Sequence, residues 1–201
     1  MDNTNGSISI LLENSFNNLT TERRLANYNK QKVVQPTSFA TFKIDDLFVP
    51  LTVSKKLSKA NLDDNGKTPV QSSETLNNGI IGLTNAKAEF NVNKENPLYF
   101  IFGDHTKSMN IADYSFCVMD NVKVLKPKIN NALVILYIAT LWKNEIPDLG
   151  YSRHWSIAKN ATIKLPVNSD KKLDVLYIEK YMENVQKQVS EALQNLYSVV
   201  Y

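Results

Sequence analysis

The last 29 residues of the chain carry an apolar repeat that constrains the fold more than any other feature of the sequence. Between Leu173 and Tyr201 the apolar residues recur in alternating steps of four and three, and neither Gly nor Pro interrupts the stretch. This heptad spacing predicts a helix about 43 Å long with a single apolar stripe. The stripe consists of Ile178, Met182, Val185, Val189, Ala192, Leu196 and Val199.

A helix with one apolar stripe must bury that stripe against another surface. Four heptads are enough to be typical of a coiled coil, so we expect residues 169–201 to form a dimerisation or partner-binding helix. The alternative is a terminal helix that packs on its own domain. Either way, the stripe is the face of the helix that another element has to cover.

Composition places the rest of the chain among globular proteins. Of the 201 residues, 43% are hydrophobic and 21% are charged, which is typical of a folded domain. The longest apolar run, Ala132–Ile138, is far shorter than the roughly 20 residues of a membrane span. The first residues lack the pattern of a secretory signal, and the single Cys117 suits a reducing compartment. We therefore expect a cytoplasmic protein that does not enter the membrane.

The predicted architecture is α+β, with a mixed or antiparallel sheet and a long C-terminal helix. We expect a helical segment and linker over residues 1–40, with the helix at Ser7–Tyr28, and a globular domain over residues 41–168 that holds the net charge of +3. Its core helix is predicted at Ile129–Lys143. Strands are predicted at Thr68–Ser73, Ile80–Thr84, Glu89–Val92, Leu98–Phe102, Phe116–Met119, Val122–Leu125 and Thr162–Leu165, with a possible hairpin around Asp120-Asn121.

Catalytic patterns do not stand out in this sequence. The only two histidines, His105 and His154, have no His or Cys nearby, so we expect no metal site. Neither a G-x-S-x-G elbow nor a phosphate-binding glycine loop occurs among the six glycines. The residues Asp120 to Lys123 do not have the spacing of a nuclease centre. The residues therefore indicate no catalytic or cofactor site; a non-catalytic role is what the family resemblance described below implies.

Three polar loops carry side chains suited to DNA. Gln and Asn amides pair bidentately with adenine, Arg pairs with guanine, and Ser, Thr and Lys bind bases or phosphates. The alternative is ordinary: Ser-rich loops are usually solvated turns, and Trp155 with its neighbour can anchor the core. The predicted DNA-binding residues are Gln71, Ser72, Ser73, Asn77, Asn78, His105, Thr106, Lys107, Ser108, Tyr151, Arg153 and His154.

From about Phe42 to Met182 the chain resembles the target recognition domain of type I restriction–modification specificity subunits, in particular its type IIB and IIG versions. The segments that carry the resemblance are FKIDDLF, NGKTPVQSSETLNNGIIG, FIFGDHT, DNVKVLKPK, LGYSRHWS and IKLPVNSDKKLDVLYIEKYM, in this order. Members commonly hold two recognition domains, each followed by a long helix. This chain has one of each, so it resembles a half-subunit.

The resemblance implies a DNA specificity subunit that binds one half of a bipartite target. It implies double-stranded DNA, methyltransferase subunits and a motor-nuclease subunit as partners, and S-adenosylmethionine and Mg on those partners alone. A homodimer through the C-terminal helix would read an interrupted palindrome with a spacer of at most about 13 base pairs. Two alternatives stay open: a DNA-independent decoy or regulatory half-subunit that occupies the methyltransferase, and an autonomous nuclease.

Overall fold

The computed structural model describes Pro36, residues 38–150 and residues 152–200, with the side chains of residues 199 and 200 left aside. The helix predicted at Ser7–Tyr28 and the side chain of Val199 lie outside the described residues. The described chain divides into two compact units: one covers residues 36–179, and residues 180–200 belong to the other.

The described residues form ten strands and four α-helices. The strands are β1 Ser38–Lys43, β2 Phe48–Pro50, β3 Lys56–Leu57, β4 Thr68–Gln71, β5 Ile80–Thr84, β6 Tyr99–Gly103, β7 Met109–Ala112, β8 Cys117–Met119, β9 Val122–Pro127 and β10 Thr162–Val167. The helices are α1 Ile44–Leu47, α2 Ala132–Asn144, α3 Trp155–Ala158 and α4 Val175–Val200, with short 3-10 turns at Lys59–Asn61 and Asn77–Gly79.

These strands build three sheets. One is fully antiparallel, in the order β2-β9-β6-β7. A second, in the order β3-β8-β4-β5, is mixed, since β8 runs parallel to both of its neighbours while β4 and β5 are antiparallel. The third is the antiparallel pair β1-β10. The expected α+β fold with a mixed or antiparallel sheet and a long C-terminal helix is confirmed.

The core of the first unit is aromatic. Trp142 of α2 stacks on Phe48, Phe100 and Phe102, with ring centroids 5.6–5.7 Å apart. Its indole N–H donates to the Ala158 carbonyl oxygen at 3.0 Å, so the one polar atom of this buried ring is satisfied. Asn131 caps α2 by accepting from the Leu133 and Val134 amides. The most apolar predicted helix is therefore the core helix, as expected.

Three local predictions differ from the structure. The Glu89–Val92 segment is not a strand; only an isolated bridge links Phe90 to Phe116. The segments around Asp120-Asn121 do not form a hairpin, because β8 and β9 belong to different sheets. Residues 38–43, read in part as a linker, form β1, because the distant β10 supplies its hydrogen-bond partner.

The C-terminal helix α4 runs for 26 residues. The Asp174 side chain accepts from the Tyr177 amide at 3.0 Å and so caps its first turn. Along the heptad stripe, Ile178 is buried and Met182 and Val185 are half-buried. Farther along, Val189 is 52% and Leu196 is 55% exposed, and Ala192 between them is also exposed. None of the described helices is apolar over a length that would cross a membrane.

Candidate nucleic-acid interface

A buried aspartate, Asp104, joins the second and third predicted loops. It follows β6 and is 2% exposed. One of its carboxylate oxygens accepts from the Trp155 amide at 2.8 Å, and the other lies 3.5 Å from Arg153 Nη1 and 3.9 Å from Lys123 Nζ. Its main-chain oxygen accepts from the His154 amide at 2.9 Å. Because all these partners meet at one residue, the loop after β6 and the loop before α3 form one structure.

The first loop is fastened to the same place. Ser73 Oγ donates to the Asn121 carbonyl oxygen at 2.6 Å, and the Asp104 amide donates to that same oxygen at 2.9 Å. Thr106 Oγ1 donates to the Ser73 carbonyl oxygen at 2.6 Å. A Cβ added to Gly103 would lie 2.9 Å from the Ser73 Cα and clash with Ser108, so the close approach of the two loops requires glycine there. Side chains separated by up to 80 residues thus converge.

The beginning of the first loop is internal. Gln71, Ser72 and Ser73 are all buried. Gln71 Nε2 donates to the Tyr114 hydroxyl at 2.7 Å. Burial raises the pKa of Tyr114; the Asn78 and Gln71 hydrogen bonds act in the opposite direction, and the nearby Asp113 carboxylate reinforces the increase. Side chains this buried cannot reach a base edge unless the loop moves, so their burial favours a supporting role.

The tip of the first loop is exposed but held by many hydrogen bonds. Asn77 and Asn78 are exposed and adopt positive φ angles of 48° and 50°, followed by Gly79 at 78°. Asn78 Nδ2 donates to the Ile111 carbonyl oxygen at 2.9 Å and to the Tyr114 hydroxyl at 3.1 Å. Positive φ is uncommon outside glycine, and Asn tolerates it best. The tip therefore has a defined conformation on the surface.

The second loop contains a mixture of exposed and buried positions. Thr106 is exposed, His105 and Lys107 are half-buried, and Ser108 is buried with its carbonyl oxygen accepting from the Gly103 amide at 2.8 Å. Lys107 adopts a φ of 55°, and its Nζ donates to the Ile146 carbonyl oxygen at 3.3 Å. The Lys107 ammonium, with three donors, keeps capacity for a further acceptor such as phosphate.

In the third loop, neighbouring residues have opposite environments. The Arg153 side chain is 60% exposed, whereas His154 is 1% exposed. The Leu149 amide donates to His154 Nε2 at 3.3 Å, so Nδ1 carries the proton and donates to the Asp104 carbonyl oxygen at 3.0 Å. Trp155 packs on Phe102 at 5.5 Å, which agrees with core anchorage. Tyr151 lies outside the described residues.

The exposed members of the predicted set are Asn77, Asn78, Thr106 and Arg153, with Lys107 and His105 half-exposed. Sequence reasoning missed Asp104 as the residue that connects the loops, and also Asn121 and Lys123. The only available signal was that Asp104 lies inside the predicted Gly103–Ser108 loop. Within the described residues, no group of three or more His, Cys, Asp or Glu side chains is arranged to hold a metal ion.

The fold and the loops together define a class: an α+β domain with clustered polar loops, followed by a long heptad helix. A family model described as the type I restriction modification DNA specificity domain matches residues 36–196. This match covers most of the chain, and the chain belongs to that family. The resemblance inferred from the sequence is thereby confirmed.

Solved structures with the same fold include S subunits of type I systems. The type I restriction–modification S subunit from M. genitalium is 15% identical with a TM-score of 0.52, and the alignment covers 80% of this chain and 41% of that one. The HsdS subunit from Thermoanaerobacter tengcongensis is 13% identical with a TM-score of 0.52, covering 92% and 50%. A chain from a study of the assembly and conformational transition of the type I R-M system is 13% identical with a TM-score of 0.55, covering 94% and 52%.

This chain therefore spans about half the length of those structures or less. At these identities the likeness concerns the fold. No curated protein sequence matches the chain.

Proposed function

We propose that this chain is a DNA sequence-specificity subunit of a restriction–modification system. Residues 41–168 would read one half of a bipartite target, and the helix from residue 169 onward would dock methyltransferase subunits and a second copy of the chain. The partners are double-stranded DNA, a methyltransferase and a motor-nuclease subunit. Catalysis, S-adenosylmethionine and Mg belong to those partners, and the assembly works in the cytoplasm.

The observation that carries the proposal is the convergence of three polar loops on Asp104 and Asn121. A site that discriminates bases needs side chains held in fixed positions, because each hydrogen bond to a base edge depends on geometry. Asp104 is buried and joins the Arg153 loop to the loop after β6, while Ser73 attaches the first loop to the same turn. Family membership makes DNA the ligand to expect for this surface.

Arg153 is the strongest candidate for direct base readout. Its guanidinium is 60% exposed, and one nitrogen lies 3.5 Å from Asp104. A guanidinium has five N–H donors, so this contact leaves donors for a bidentate bond to guanine O6 and N7. The Asp104 carboxylate would orient the guanidinium before DNA arrives and so reduce the cost of ordering it on binding.

Lys107 and Lys123 suit phosphate contacts. We call the three loops that converge on Asp104 and Asn121 the loop cluster. Lys123 Nζ lies 3.9 Å from the Asp104 carboxylate, and Lys107, within the second loop, donates to a main-chain oxygen, so both cations belong to this cluster. Each cation that neutralises a DNA phosphate releases bound counterions and makes affinity depend on salt. We expect these two residues to supply affinity that is independent of sequence.

The same proposal has a second form, which the helix supports. The stripe residues Val189 and Leu196 are more than half exposed, and a partner that covers them would bury apolar surface whatever the loops do. A decoy half-subunit would bind a methyltransferase through this face without reading DNA. Failure of the full chain to retard any duplex, alongside intact methyltransferase binding, would favour this form.

The decisive experiment starts with co-expression of the full chain and the adenine methyltransferase of the same system. Mapping methylated adenines by single-molecule sequencing defines the target. Binding of the complex to target and random duplexes is then measured across salt. Arg153→Ala should reduce discrimination at one base pair by about tenfold or more, while Lys107→Ala should weaken binding to both duplexes and reduce the salt slope by about one.

Lys94→Ala is the matched control. Lys94 is exposed and precedes the Tyr99 end of β6, whereas the loop cluster follows the opposite end at Gly103, about 13 Å along the strand. It should leave both affinity and salt slope unchanged. Equal losses on target and random duplexes for Arg153→Ala would contradict direct readout by that residue.

A further inference from the structure

The tip of the first loop carries an apolar side chain, Leu76, that is not buried in the core of the domain. Leu76 is 78% exposed, more than any other large apolar residue of the described chain. Glu74 and Thr75 beside it are exposed as well, and residues 72–86 include no Lys or Arg. This tip, residues 74–78, therefore differs in chemistry from the basic loop cluster that it adjoins.

Hydrogen bonds on both sides fix the conformation of this tip. The Ser72 amide donates to the Gly79 carbonyl oxygen at 2.9 Å, and the Gly79 amide donates to the Leu76 carbonyl oxygen at 2.9 Å. Three consecutive residues have positive φ, and two of them are not glycine. Such backbone conformations cost energy and persist only where surrounding contacts hold them. The exposure of Leu76 is thus a fixed property of the loop.

The tip lies within reach of the loop cluster. Leu76 is three residues from Ser73, whose side chain and carbonyl oxygen bond to Asn121 and Thr106. Three residues span at most about 11 Å, so the Leu76 main chain lies within about that distance of Ser73 and of the loops that it joins. A carboxylate at Glu74 and the absence of a cation over residues 72–86 disfavour contact with phosphates. An isobutyl group and a carboxylate match base edges instead, where thymine offers a methyl group and cytosine an amino donor.

We propose that Leu76 contacts the 5-methyl group of a thymine in the major groove and thereby distinguishes thymine from the other bases at one position of the half-site. This inference rests on the proposed DNA-reading function. The thymine methyl is the apolar feature of the major-groove edge, and covering it removes apolar surface from water on both partners. Leu76 is a specificity-determining residue that acts through shape and hydrophobic contact, beside the hydrogen bonding of Arg153.

The test replaces each thymine of the mapped half-site by uracil, one position at a time, which deletes the methyl group and keeps every base-pairing atom. The full chain in complex with its methyltransferase is titrated with each duplex. At the contacted position the wild-type complex should bind the uracil duplex about fourfold more weakly, the equivalent of one buried methyl group. Leu76→Ala should bind thymine and uracil duplexes equally, so that the two losses are not additive.

Leu136→Ala is the matched control, because Leu136 lies on α2 and is 47% exposed; it should retain the full response to uracil. A complex that discriminates its target but tolerates uracil at every position, or a half-site without thymine, overturns this inference and leaves the proposed function intact. Loss of methyltransferase binding by Leu76→Ala also overturns it, since the residue would then contact protein. A complex without any target preference overturns both.

Discussion

The loop cluster around Asp104 and the distal part of α4 use their side chains in opposite ways. In the cluster, several groups predicted to bind DNA are instead hydrogen-bonded to other parts of the domain: His154 to the Asp104 backbone, Ser73 to Asn121 and Gln71 to Tyr114. Along the distal helix, the apolar groups Val189 and Leu196 remain more than half exposed. Within the described residues, most polar side chains of the cluster have a hydrogen-bond partner, although the buried Gln71 Oε1, Ser108 Oγ and Asn121 Oδ1 have none.

This difference shows where each region keeps its capacity to bind. Buried polar groups are hydrogen-bonded because an unpaired one costs about 1–3 kcal/mol. In the loops, we therefore expect the few side chains that this bonding leaves exposed to be the ones that contact DNA. In the helix, we expect the exposed apolar stripe to be the binding surface, since covering it yields about 25 cal/mol per Å². On the proposed function, the loops would select DNA by the fixed positions of a few polar side chains, and the helix would select a partner by the apolar area that it buries.

The largest effect should come from placing charges on the helix stripe. In Val189→Glu/Leu196→Glu, a symmetric dimer would lose four buried apolar side chains and gain four carboxylates at its seam. At about 1.5 kcal/mol or more for each of the four lost side chains, self-association of the full chain should weaken about 10,000-fold or more. Sedimentation equilibrium over a concentration series measures this change.

A control with the same charge lies on the other side of α4. Ser190→Glu/Gln194→Glu also adds two carboxylates at exposed positions, but off the stripe, and it should leave the dissociation constant nearly unchanged. If both double variants change the dissociation constant equally, the stripe is not the contact between chains. The difference between the loops and the helix would then not hold for the helix.

The next effect in size is expected at Asp104. Asp104→Ala removes the acceptor of the Trp155 amide and the carboxylate that lies near Arg153 and Lys123. Leaving the Trp155 amide unpaired should lower the free energy of unfolding by about 2–3 kcal/mol. Urea unfolding of the full chain, followed by the fluorescence of the tryptophans in the first unit, provides the measurement.

Two variants sharpen this result. Asp104→Asn keeps an oxygen for the Trp155 amide and loses the charge, so it should lose less stability while still weakening the placement of Arg153. Asp120→Ala removes an exposed carboxylate from the adjoining turn and should change stability by at most about 0.5 kcal/mol. An Asp104→Ala chain as stable as the wild type would mean that the loops hold together without it.

Sequence reasoning succeeded where the signal is periodic or local. The residues at Ile80–Thr84 form β5 with the predicted bounds, and the apolar run near Ile135 forms the core helix. The heptad spacing predicted α4, because a helix face depends only on residues three and four positions apart. The order of the quoted segments indicated the family that the family model also matches.

It failed where a residue's role is set by partners far along the chain. Asp104 bonds to residues about 50 positions away, and β1 exists because β10 pairs with it across more than 110 residues. Gln71 was proposed as a base reader for its amide chemistry; the fold buries its side chain, and its Nε2 donates to the Tyr114 hydroxyl. The composition of a loop shows which hydrogen bonds its side chains can form. Only the fold determines whether the partner in those hydrogen bonds is the protein itself or a ligand.

The smallest effect should come from the hydroxyl that links both halves of the first loop. Tyr114→Phe leaves the Gln71 and Asn78 amide donors without this acceptor, which should lower the free energy of unfolding by about 1 kcal/mol at neutral pH. Burial raises the pKa of Tyr114, against the lowering effect of those two hydrogen bonds and with a further increase from Asp113. The protonated hydroxyl is therefore favoured more in the folded state than in the unfolded one.

The pH dependence follows from that sign. A raised pKa in the folded state contributes stability that is fully present below the ordinary tyrosine pKa of 10.0 and is lost as pH rises through the folded pKa. The advantage of the wild type over Tyr114→Phe should therefore shrink above about pH 10, while Tyr99, also raised by burial, contributes equally to both chains. A difference that stays constant with pH would show that the pKa of Tyr114 is the same in the folded and the unfolded chain, so that the Asn78 and Gln71 hydrogen bonds offset the effects of burial and Asp113.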